Sequence, residues 1–162
     1  MYLKSLIGPG ALVQSVASAV VDEVRDFPHE WHRSGLGFEK RLGSEYGQVV
    51  ISNAIQMGFS AIHSEDPRYY RMGQGNPFKR TFYAITSSLV VTNTHGGREI
   101  ALGEIAGSFG SWAIATRWNP PSERTGSQIL LYGGAGIVGK SLSNTLREFW
   151  PDVHRLFKRN KP

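Results

Sequence analysis

The sequence contains no cysteine, so disulfides, thiolate metal sites and cysteine nucleophiles are excluded, and with them any redox clue to the compartment. It has no run of about 18 strongly apolar residues, and its mean hydropathy is −0.26. A polytopic membrane protein of the ordinary kind is therefore not expected. Charge is sparse: Asp, Glu, Lys and Arg make up 19%, where about a quarter is usual for a soluble domain. No G-x-S-x-G elbow surrounds Ser60, Ser108 or Ser111, so a hydrolase triad lacks support. His29-Glu30-Trp31-His32 is not the H-E-x-x-H of a zinc helix, and beside Pro28 it reads as surface loop. The opening segment, 1–10, lacks an apolar signal core before its Gly8-Pro9-Gly10 break. On that segment alone the chain would be cytoplasmic, unless a secretion signal has been trimmed away.

Glycine, by contrast, is plentiful. There are 19 in 162 residues, above the usual share of about 7%. The length fits one domain with a real core. The formal charge is +5 and the pI about 9.7, a balance that favours acidic partners such as anionic lipid headgroups. Nucleic acid is not expected, because the basic residues form no long stripe.

Hydrophobic spacing predicts five helices. The first covers 11–25, with Leu12, Val16 and Val20 or Ala19 on one side, and ends at Phe27-Pro28 because the residue before proline is pushed out of the α region. The second covers 38–63 and is stopped by Ser64-Glu65-Asp66-Pro67. Pro77 opens a third over 78–91, although its tail, Leu89-Val90-Val91-Thr92-Asn93-Thr94, is β-branched and equally reads as a strand. A fourth spans 99–116, after the His95-Gly96-Gly97 turn, and a fifth 127–149. Segment 1–10 reads as a flexible arm and 151–162 as a short basic tail. The fold class is all-α: a single bundle in one domain.

Small residues recur along these helices. Gly43, Gly47 and Gly58 lie with Ala54 and Ala61 on one side of the second helix, and Gly103, Gly107 and Gly110 mark the fourth. Small side chains let helix axes approach closely, which matters most where burial from water gives little help, as in lipid or tight assemblies. These six glycines are the candidate helix-packing residues.

Gly134-Ala135-Gly136-Ile137-Val138-Gly139-Lys140-Ser141 matches G-x-x-x-x-G-K-S in full. In a phosphate loop the glycines free backbone N–H groups to surround phosphates, Lys140 would reach the terminal phosphates, and Ser141 would ligate magnesium. Gly134, Gly139, Lys140 and Ser141 are thus the nucleotide-binding alternative. The context is poor for it. A phosphate loop follows a central strand of a parallel sheet, and after Ser141 the chain offers no further strand. The competing reading makes these glycines one more close-packed helix face, offsetting a cost of about 1 kcal/mol per glycine.

His63, Glu65 and Asp66 lie close together, with Arg68 beyond. They would serve as an acid–base or metal site, or equally as a helix-ending cluster; no second ligand group with metal spacing accompanies them, so no metal is expected. Arg68, Tyr69, Tyr70, Arg71 and Trp150 combine aromatic rings with cations near helix ends. That mixture suits a water–lipid boundary or the plain capping of helix C-termini. They are the candidate surface-contact residues.

Three islands carry a family resemblance: Lys40-Arg41-Leu42-Gly43-Ser44-Glu45-Tyr46-Gly47; His63 with Glu65-Asp66-Pro67-Arg68-Tyr69; and Arg147-Glu148-Phe149-Trp150-Pro151-Asp152. In these, over most of its length, the chain resembles an uncharacterised family of small helical bacterial envelope proteins. The resemblance implies helices and a secreted location. It implies no activity, cofactor or site residue. The expectation is a non-enzymatic packing or assembly protein of the cell envelope, membrane-associated, with no catalytic residue and no cofactor. Its partners would be further copies, another envelope protein or an anionic membrane surface.

Overall fold

The structure is a computed structural model that describes residues 7–159, with 156, 157 and 159 described by backbone alone. Five α-helices carry the chain: α1 (Pro9–Arg25), α2 (Gly35–His63), α3 (Pro77–Thr86), α4 (Leu102–Ala115) and α5 (Gly126–Arg159). α4 lies between α2 and α5, α1 packs on α2, and α3 on α5. The all-α bundle is therefore present. A small antiparallel sheet joins it, formed by β1 (Glu65–Asp66), β2 (Val90–Asn93) and β3 (Arg98–Ile100) in that order, with Glu65 opposite Asn93 and Thr92 opposite Arg98.

The helix boundaries have local causes. Pro9 starts α1 at a position where its missing N–H costs nothing. The Ser34 hydroxyl accepts from the Gly37 amide at 3.0 Å and caps α2. Asn76 does the same for α3 through the Phe78 amide, 2.9 Å away. α2 ends at Ser64, which takes the left-handed conformation with φ of 58°.

Two sequence expectations change here. The third helix stops at Thr86 and its β-branched tail becomes β2, so the strand reading of 90–93 holds, and the start assigned to the fourth helix is β3. The second correction concerns the tail: α5 does not end at Phe149 but continues through Pro151 to Arg159. Proline removes one helix hydrogen bond and crowds the preceding turn. Arg80 on α3 holds the helix on either side of the proline, donating to the main-chain carbonyl of Glu148 at 2.9 Å and to the Asp152 carboxylate at 2.7 Å. Anchored on both sides of Pro151, the helix runs on. Of the expected 1–10 arm, residues 1–6 lie outside the described residues, and α1 already begins at Pro9.

The buried positions are spread over all five helices, and their composition is inverted. The buried apolar residues are small (Ala11, Ala19, Ala84, Ala101 and Ala115, with Val49), while Arg41, Gln48, Glu65, Arg80, Asn119, Asn144 and Glu148 are buried beside them. The large apolar side chains face out. α1 buries Ala11, Ser15 and Ala19 and exposes Val13, Val20 and Val24. α3 buries Arg80 and Ala84 and exposes Phe78, Phe82 and Ile85. α5 buries Asn144 and Glu148 and exposes Leu131, Val138, Leu142 and Leu146. In each case the exposed set recurs at spacings of three, four or seven residues, so it falls on one side of the helix. Among the described residues no helix is long and apolar enough to cross a membrane.

Candidate functional site

Glu148 is fully buried and every lone pair that matters is used. One carboxylate oxygen accepts from the Tyr69 hydroxyl at 2.7 Å and the Met72 amide at 3.0 Å; the other accepts from the Gly73 amide and Arg80 Nε, both at 2.9 Å. Burial by itself would raise this carboxyl. The bonds from Arg80, Tyr69, Gly73 and Met72 outweigh burial and hold it at about 2. The Arg80 guanidinium also stacks on the Phe149 ring, 4.5 Å from its centroid. Tyr69 is raised by burial and by its bond to the Glu148 carboxylate. The loop 67–76 has no regular structure of its own, and this cage is what pins it to α5.

Two further hubs repeat the device. Arg41, whose side chain is wholly buried, donates to the carbonyls of Phe27, Pro28 and His32 and pairs with Glu23 at 2.6 Å. It fixes the α1–α2 connection. A Cβ at Gly37 would collide with the carbonyls of His32 and Trp31, so only glycine fits under that loop. Glu65 accepts from the amides of Leu102 and Gly103 and from the Ser60 hydroxyl. A carboxylate placed there satisfies unpaired amides at the start of α4 and sits at the positive end of the helix dipole. The three sequence neighbours go separate ways: Glu65 serves the start of α4, Asp66 accepts from Tyr70 and the Arg68 amide, and His63 stacks on Phe59. Among the described residues no group of three His, Cys, Asp or Glu side chains could hold a metal ion.

The opposite end of the bundle collects acids without such compensation. Asp22 on α1 raises Glu45 on α2 and Glu123 in the 3-10 turn Pro121–Glu123, and Glu123 raises Glu45 further. Burial is the main cause in each case, raising Asp22 to about 6 and both Glu45 and Glu123 to about 7; Arg25 and Arg41 pull Asp22 back down, and Arg41 does so for Glu123. Tyr132 on α5 is pushed up to about 12, mainly by burial and then by Asp22. Its ring stacks on Trp112 at 4.4 Å and on Phe27 at 5.7 Å.

The glycines divide. A Cβ at Gly103 would meet the Ser60 hydroxyl and the Gln56 carbonyl at under 3 Å; one at Gly107 would meet the Ser52 carbonyl at 2.7 Å; one at Gly110 would meet Ile55 at 3.1 Å. These three let α4 lie directly against α2. Gly43 and Gly58 face open space, and Gly47 meets only the Trp118 ring at 3.8 Å. The face of α2 that meets α4 is instead the polar row of Ser52, Gln56 and Ser60. The expected packing roles of Gly43 and Gly58 are accordingly corrected.

Gly134, Gly139, Lys140 and Ser141 all lie within α5. Their backbone amides point along a helix, where a phosphate cradle needs them splayed in a loop. Lys140 Nζ sits 3.1 Å from Glu104, which also accepts from Gln56. The Ser141 hydroxyl contacts Ser88 at 2.7 Å. The segment packs on α4: a Cβ at Gly133 would collide with the Phe109 ring, and one at Gly136 would meet Ser108.

The surface-contact candidates are in part what the sequence suggested. Arg68, Tyr70, Arg71 and Trp150 are exposed, whereas Tyr69 is half-buried in the Glu148 cage. Charge is sorted by depth. Among the acids only Glu30 and Glu39 are exposed, while most lysines and arginines of the described residues are. A shallow groove opens between α3 and the sheet, lined by Arg68, Tyr69, Tyr70, Tyr83, Thr86 and Arg98 among others.

Sequence reasoning missed Arg41, Arg80 and Glu148 as organising residues. Arg41 and Glu148 stand inside the islands that carried the family resemblance, which was the available signal. Arg80 had none, since a lone arginine in an amphipathic helix reads as surface. The acid cluster gave no signal either, because its members come from three distant segments. No protein-family model, curated protein or solved structure matches the chain.

Proposed function

We propose that this protein is a non-enzymatic packing or assembly protein of the cell envelope that works at an anionic membrane surface. The observation that carries the reading is the radial sorting of side chains: acids and small polar groups inward, cations and large apolar ridges outward. In water each exposed Leu, Val or Phe forgoes about 1.5–3 kcal/mol of burial, and large exposed apolar areas mark contact surfaces. Lipid or a protein neighbour removes that penalty, and a polar interior satisfied by its own hydrogen bonds is then the stable arrangement. A cationic rim adds attraction to anionic headgroups. The ridges of α1 and α5 also suit contact between copies.

Flotation with vesicles tests this. The wild-type protein should float with phosphatidylglycerol-containing vesicles and much less with neutral ones. Leu142→Ser combined with Leu146→Ser should reduce flotation while leaving the helical circular-dichroism signal intact, since both residues are exposed. A protein that stays monomeric by analytical ultracentrifugation and ignores both vesicle types would end the proposal.

A further inference from the structure

We propose that the groove between α3 and the sheet binds the phosphate of an anionic phospholipid headgroup, while the neighbouring ridge of α3 enters the acyl layer. The inference rests on the membrane-surface reading above and names the site within it.

Arg98 supplies the charge. It stands on β3 opposite Thr92, is exposed, and forms no ion pair among the described residues. Arg68, on the same groove, lies 3.7 Å from Asp66. That pairing offsets the Asp66 carboxylate, and no carboxylate lines the groove, so it keeps the positive charge of Arg98. The hydroxyls around it are held in place: Tyr70 donates to Asp66 at 2.6 Å, Tyr83 to the Tyr70 carbonyl at 3.0 Å, and Tyr69 to Glu148. The Arg98 guanidinium is what remains for a ligand, and its planar fork matches a phosphate.

The ridge decides the source of that phosphate. At 100° per residue, Thr86 lies between the groove-facing Tyr83 and the exposed pair Phe82 and Ile85. Groove and ridge are therefore adjoining strips of one short helix. Phe78 is 80% exposed and Phe82 63%. A soluble phosphate would leave these rings in water; a phospholipid supplies the phosphate for the groove and hydrocarbon for the rings. α3 has ten residues, or about 15 Å, a length for lying in the interface plane.

The test compares wild type, Arg98→Gln and Phe82→Ser in sedimentation with phosphatidylcholine vesicles, with and without phosphatidylglycerol. Glycerol 3-phosphate is titrated separately, followed by tyrosine NMR shifts. Arg98→Gln should weaken binding to phosphatidylglycerol vesicles about fivefold and leave binding to neutral vesicles unchanged. Phe82→Ser should weaken binding to both. If Arg98→Gln binds phosphatidylglycerol vesicles like the wild type, the headgroup site is overturned even though membrane binding stands. If, in addition, glycerol 3-phosphate shifts the tyrosines in wild type only, the groove serves a soluble phosphate instead. Wild-type protein that binds neither vesicle overturns the underlying reading as well.

Discussion

Glu148 and Glu123 are both almost wholly buried, yet the first is held at about 2 and the second raised to about 7. Burial acts on both in the same direction. The difference lies in what surrounds them. Glu148 meets a guanidinium, a phenol and two amides. Glu123 faces the carboxylates of Asp22 and Glu30, with Arg41 the one cation that counters them. Arg41 in turn is largely committed to three carbonyls and Glu23. A buried carboxylate is thus a fastener at one end of the bundle and a strain at the other, according to its donors and not its depth.

The strongest way to break this contrast is Glu148→Ala. It strips the α3–α5 cage and leaves buried Arg80 with Asp152 as the one carboxylate still paired to it. The expected loss is about 3–5 kcal/mol, seen as a fall in melting temperature of at least roughly 6 °C. A loss under about 1 kcal/mol would mean that the loop 67–76 is held by something else.

Next in size is Gly107→Leu, placed between the two ends. It forces α4 off the Ser52 carbonyl and should cost about 1–3 kcal/mol or more, while Gly58→Leu, facing open space, should change stability by less than about 0.5 kcal/mol. Equal effects in urea unfolding would show that α2 meets α4 through a different face.

The pH profile separates the ends without mutation. Asp22, Glu45 and Glu123 have folded values raised above their unfolded ones. Their contribution is full below about 4.5 and is lost as pH rises through 6 to 7. Glu148 is depressed, so its contribution is full above 4.5 and is lost as pH falls towards 2. Stability should therefore peak near pH 4.5 to 5, and melting curves between pH 2 and 9 would check it. A monotonic rise to pH 8 would contradict the raised values.

Smallest is Glu123→Gln, which removes the repulsion and keeps the shape. It should raise stability by about 1 kcal/mol at pH 8 and by nearly nothing at pH 4. A stabilisation that does not depend on pH would assign the effect to something other than charge.

The spacing of apolar residues located all five helices, because a 3.6-residue period is written into any amphipathic helix. It could not say which side faces in. Leu12, Val16 and Val20 look like a core face, yet all three are exposed and Ala11, Ser15 and Ala19 occupy that place. Nor did spacing separate Gly107, which touches a neighbour, from Gly58, which does not. The G-x-x-x-x-G-K-S match around Lys140 shows the same limit: the letters fit a phosphate loop, and the backbone is a helix.

Read alone, the amino-acid order determined the all-α class, the breaks at Pro28, Ser64 and Pro77, the turn at His95-Gly96-Gly97, and the basic, cysteine-free, glycine-rich character of the chain. These follow from backbone sterics and composition, which act over a few residues. Only the tertiary structure decided which side chains are buried, that α5 runs through Pro151, and that Tyr69, Arg80 and Glu148 meet. Those outcomes depend on partners 68 to 79 residues apart, and a hydrogen bond or an ion pair has no value until folding brings its two halves together.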